Sequence, residues 1–111
     1  MQRGKTRTLA VHKMTAIEVR INGKLEAVCG AEALDQLVAM VAARQSKDNT
    51  KVYVVECMGV RPKSATTEEV LRWFNSRISF GDEVSFKFVE TAIASAPFDS
   101  QEISRNGAPD S

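Results

Sequence analysis

The sequence predicts a single α+β domain of order ββαβαβ, in which two helices cover one face of a sheet. Three observations carry that expectation. Asn22-Gly23 separates two stretches that alternate apolar and polar residues. Leu34, Leu37, Val38 and Val41 recur at helical spacing. An apolar run over residues 51–58 is then followed by Thr66 and Glu69, spaced as a capping box that opens a second helix.

Ile17, Val19 and Ile21 alternate with Glu18 and Arg20, the period of a half-buried strand. Beyond the turn, Leu25, Ala27 and Cys29 alternate with Glu26 and Val28. A two-residue loop at Asn22-Gly23 would set Val19 opposite Glu26 and place charge on the apolar face. The spacing therefore predicts a three-residue loop, either Asn22-Gly23-Lys24 or Ile21-Asn22-Gly23. Gly30 ends the strand. Ala33, Ala39, Ala42 and Ala43 favour the helix that follows, which fades at the polar turn Ser46-Lys47-Asp48-Asn49.

The run Val-Tyr-Val-Val-Glu-Cys is apolar and β-branched at both parities, so its strand has apolar contacts on both faces. Pro62 disfavours helix at Arg61, which makes residues 59–63 a loop. The second helix directs Val70, Trp73, Phe74 and Ile78 inward, with Trp73 against Leu37, Val41 and Phe86. Ser79-Phe80-Gly81-Asp82 turns the chain, and Val84, Phe86 and Phe88 alternate with Ser85 and Lys87 in the last strand.

This order, with Asn22-Gly23-Lys24 and Gly81-Asp82-Glu83-Val84, resembles the β-grasp fold of ubiquitin and the bacterial sulfur carriers over residues 16–90. The resemblance implies a mixed four-stranded sheet with the last strand in its middle, parallel to the first. Carriers of that family are activated at a C-terminal Gly-Gly. This chain ends Asn106-Gly107-Ala108-Pro109-Asp110-Ser111, without that pair, so the resemblance concerns fold only.

At 111 residues the chain suits one domain over residues 14–90, between a basic flexible leader at 1–13 and a flexible tail at 91–111. Met14 is an alternative start. Apolar content of 43% with 26% charged residues is that of a globular protein, and no apolar run spans a bilayer. The leader carries Arg3, Lys5, Arg7 and Lys13 without an acid, leaving 11 basic against 14 acidic groups in the remainder. That remainder lacks the broad basic footprint of a nucleic-acid binder, so the arm is the main candidate for phosphate contact, with Arg72 and Arg77 of the second helix and Lys87 of the last strand as the folded candidates beyond it. A leader without a signal-peptide core, together with two isolated cysteines, predicts a cytoplasmic protein.

Cys29 and Cys57 fit as small buried hydrophobes, and a disulfide between them is possible without being indicated. His12, the one histidine, lies in the arm, so neither a metal cluster nor a cysteine–histidine nucleophile is expected. The pairs Glu68-Glu69 and Asp82-Glu83 match a helix start and a turn as well as they match acid–base work. No cofactor, catalytic residue or small-molecule substrate is expected. The function expected is that of a non-enzymatic interaction domain: an adaptor, an immunity-like inhibitor or an assembly subunit. It would bind a protein partner or a second copy through the open sheet face or edge, with Tyr53, Val55, Lys87 and Val89 as contact candidates. The alternative is a small nucleic-acid-binding regulator using the basic arm.

Overall fold

The computed structural model describes residues 13–104. These form seven strands: β1 (Met14–Ile21), β2 (Lys24–Gly30), β3 (Gln36–Gln45), β4 (Lys51–Pro62), β5 (Thr67–Ile78), β6 (Val84–Thr91) and β7 (Asp99–Ser104). A three-stranded sheet has the order β2-β1-β6 and a four-stranded sheet the order β3-β4-β5-β7. Every pairing is antiparallel. The described residues contain no helix.

The sheets face each other across one core. Ile17 and Val19 of β1 and Ala27 and Cys29 of β2 meet Val55 and Cys57 of β4 and Leu71 and Trp73 of β5. Small residues let the layers close up, and Cα atoms of β2 come within 8 Å of Cα atoms of β4 and β5. Packed sheets more often stand about 10 Å apart. Gly59 lies directly against the Trp73 ring, where a Cβ would come 3.0 Å from Cζ3.

The α+β expectation is thus overturned, because both segments predicted as helices are strands. In β3, Leu37, Ala39 and Val41 share one face while Val38, Met40 and Ala42 share the other. A segment apolar at both parities satisfies the helical spacing and the strand spacing equally. Pairing with β4 along the whole length of β3, from Gln36↔Val60 to Gln45↔Lys51, decides between them.

In β5 a bulge produced the misleading pattern. Cys57 pairs with Phe74 and Met58 with Arg72, so Trp73 is the extra residue, and Trp73 and Phe74 both pack against the core. Two adjacent inward residues are what a helix shows and what a regular strand forbids. The expected capping box is instead a hairpin turn, in which the Ser64 hydroxyl accepts the N–H groups of Thr66 and Thr67. Glu69 accepts a 2.9 Å bond from Arg61, its cross-strand neighbour.

A bulge also corrects the first hairpin. Ile21 pairs with Lys24, so the loop is the two-residue Asn22-Gly23, both in left-handed conformation at φ 53° and 83°. Arg20 then pairs with Leu25 and Val19 with Ala27, leaving Glu26 as the extra residue. The bulge makes the register correction for which a three-residue loop was invoked.

β6 lies beside β1 as expected, but antiparallel to it and at the sheet edge, so β1 is the central strand. The tail expected from residue 91 onward is partly structured: Ser95 bonds both backbone groups of Val28 on β2, and residues 99–104 pair with β5 as β7. Folded structure therefore continues past the boundary expected at residue 90.

Candidate functional site

The two sheets are offset sideways, and this offset creates the candidate site. Val84, Phe86 and Phe88 pair with Ile21, Val19 and Ile17, so they share the core-facing side of their sheet. The four-stranded sheet ends at β3, which lies over β1, and β6 extends beyond it. Phe86 is therefore 39% exposed and Phe88 72% exposed, although both stand on the inward side.

Across the gap, Val41 on β3 is 54% exposed and Tyr53 on β4 forms the back wall. Together with Ile78, Val84 and Phe86 they line an apolar cleft of about 350 Å3. Tyr53 also packs against Phe80 of the β5–β6 loop, with ring centroids 6.0 Å apart and planes tilted by 54°. Among the described residues no strand pairs with the outer edges of β3 and β6, so both edges on this flank offer unpaired backbone groups. The opposite flank is closed, because Ser95 covers the edge of β2.

One end of the cleft is fixed by polar bonds. The Asn22 N–H donates to the Glu83 carbonyl at 2.7 Å, and its side-chain oxygen accepts the Glu83 N–H at 3.0 Å. The Asn22 amide also donates to Asp82 at 3.1 Å, while Asp82 accepts the Ser79 N–H at 2.7 Å. The Ser79 backbone bond and the Asn22 amide hold the Asp82 carboxyl below its ordinary range. Arg61 does the same to Glu69 through its hydrogen bond. Both acids are thus ionised and engaged in structural bonds.

Of the expected contact residues, only Tyr53 faces the cleft. Val55 is fully buried between the sheets, so the parity chosen for the strand was inverted; Val52 and Val54 lie on the other face of the strand, where Val52 is half-buried and Val54 is buried as well. A strand apolar on both faces does not reveal which parity turns inward. Lys87 is exposed and Val89 half-buried on the outer side of β6, away from the cleft. Trp73 is buried as expected and packs with Leu37, whereas Val41 and Phe86 line the open flank. Arg3, Lys5, Arg7 and His12 lie outside the described residues, and Lys13 is exposed immediately ahead of β1.

The sequence did contain Phe86 and Phe88, but as core residues of an alternating strand. Their exposure follows from where the facing sheet ends, a property that no local pattern records. The remaining chemistry is sparse: among the described residues no group of three or more His, Cys, Asp and Glu side chains is placed to hold a metal ion. No helix among them is long and apolar enough to cross a membrane. No known protein family, curated protein or solved structure matches the chain.

Proposed function

We propose that this chain is a non-catalytic interaction domain that takes up an extended segment of a partner protein along the flank between β3 and β6. The carrying observation is Phe88, a large aromatic exposed on the inward side of an edge strand. An added strand beside β6 would gain main-chain hydrogen bonds from the free edge, and its alternate side chains would cover Phe86 and Phe88. Val41 and Tyr53 provide the facing wall. Exposed aromatics in and beside such a cleft, Phe86 and Phe88, suit the anchors that dominate binding energy at interfaces.

Phe88→Asp tests the reading, because so exposed a side chain contributes little to the core. Tagged full chains carrying Phe88→Asp, or Ser85→Asp on the outer side of the same strand, are compared with the parent in pull-downs from the native cell. Phe88→Asp is expected to melt with the parent and to lose its partner, costing about 2 kcal/mol or more of binding, while Ser85→Asp keeps it. Retention of every partner by Phe88→Asp removes the flank from consideration. Loss of all partners on nuclease treatment, in every variant alike, supports the basic arm as the contact instead.

A further inference from the structure

Cys29 and Cys57 belong to different sheets, yet their side chains lie in one cluster at 0% and 1% exposure. Both are free thiols, and each perturbs the ionisation of the other across the layer. The strands that carry them, β2 and β4, have Cα atoms within 8 Å of each other, and bridged cysteines have Cα atoms roughly 4.4–6.8 Å apart. Ala27 beside Cys29 adds little bulk to its strand at that point, while the space over Gly59, beyond Cys57, is taken by the Trp73 ring.

We propose that Cys29 and Cys57 form an oxidation site, at which a low-molecular-weight disulfide of the glutathione class converts them to an internal disulfide joining the two sheets. In the first step the Cys57 thiolate attacks one sulfur of the external disulfide, forms a mixed disulfide and releases one thiolate. Cys29 then attacks the Cys57 sulfur as its thiolate, closing the internal bond and expelling the second external thiolate. Two protein thiols are oxidised, one external disulfide is reduced to two thiols, and the protein's two protons pass to those products.

The pair is arranged for that order of attack. Cys57 loses its proton more readily than an ordinary thiol because Cys29 donates a hydrogen bond to the resulting thiolate. The same bond, with burial, holds the proton of Cys29 above the usual range until Cys57 has reacted. Both sulfurs lie inside, so the external disulfide enters through a local opening that keeps Cys29 and Cys57 together, and the product is sealed when that opening closes.

The test is an equilibrium measurement on the full chain. Protein is refolded, or held unfolded in urea, in a series of glutathione redox buffers, then acid-quenched and analysed by mass and peptide mapping. The folded chain is expected to form the Cys29–Cys57 bond at glutathione ratios that leave the unfolded chain reduced. The equilibrium should shift by a factor on the order of a hundred, as closing a loop of this length implies. By linkage the oxidised chain should melt above the reduced one, whereas Cys29→Ser and Cys57→Ser form no internal bond. Equal oxidation of folded and unfolded chain, an oxidised form that melts lower, or a bond between two chains would each overturn the proposal.

Discussion

Two glycines show how closely the chain packs. A Cβ on Gly30 would stand 2.8 Å from the Ala16 Cβ and 2.9 Å from the Thr15 carbonyl oxygen, so the obstacle includes the neighbouring strand's backbone. At Gly59 the nearest neighbours are the Trp73 ring at 3.0 Å, with the Gln36 carbonyl and the end of Leu34 at 3.1 Å. Two contacts at Gly30 fall below 3.0 Å, so the neighbouring strand has to shift, whereas at Gly59 every contact stands at 3.0 Å or more and the neighbours need give only a few tenths of an ångström. Both alanine substitutions should destabilise, Gly59→Ala by about 1–2 kcal/mol and Gly30→Ala by about 3 kcal/mol. Urea unfolding of the two variants checks the ranking, and the reverse order would show that β1 shifts more easily than the tryptophan does.

Whether an element could be recognised from the sequence depended on what its neighbours made of it. β1, β2, β6 and the first part of β4 were legible because alternation, or a β-branched run bounded by turns, is a local signal, whereas Gly59 to Pro62, expected as a loop, continue β4 as far as the pair Pro62↔Glu68. β3 was not, since Ala39, Ala42 and Ala43 favour helix locally and only the ladder with β4 makes them strand. β5 was hidden by Trp73, whose bulge imitates a helical face. β7 was hidden by its polarity: Asp99, Ser100, Gln101 and Glu102 carry no apolar pattern, and their place comes from the unpaired edge of β5. Of the cleft, Tyr53 was named as a contact candidate but on the opposite face of its strand, and the exposure of Phe86 and of the neighbouring Phe88 is set by sheet offset and not by strand period. The role of β7 gives a prediction at this scale. A chain ending at Thr91 should be less stable by more than about 2 kcal/mol, since it loses the β5–β7 ladder and the bonds of Ser95 to β2. Chemical denaturation measures this, and a truncated chain as stable as the parent would show that β7 only decorates the edge.

The whole molecule has a closed side and an open side. On the closed side the segment after β6 passes along β2, where Ser95 bonds Val28, and reaches β5, where the Phe98 N–H donates to the Arg72 carbonyl at 2.8 Å. On the open side β3 and β6 face each other across the cleft without such a tie among the described residues. Amide hydrogen exchange should therefore run fastest along the outer edges of β3 and β6 and slowest in β1 and β4, with β2 protected despite its place at a sheet edge. Fast exchange at Val28 would contradict the role given to Ser95. The strap through Ser95 acts like the spine of a book, with the aromatic side chains of β6 on the fore-edge. The pages part most easily at the fore-edge, so a guest strand arriving there needs no rupture of the binding. Cys29 and Cys57 lie between the pages, and a bond between them would work as a clasp that leaves the guest's side of the book in place.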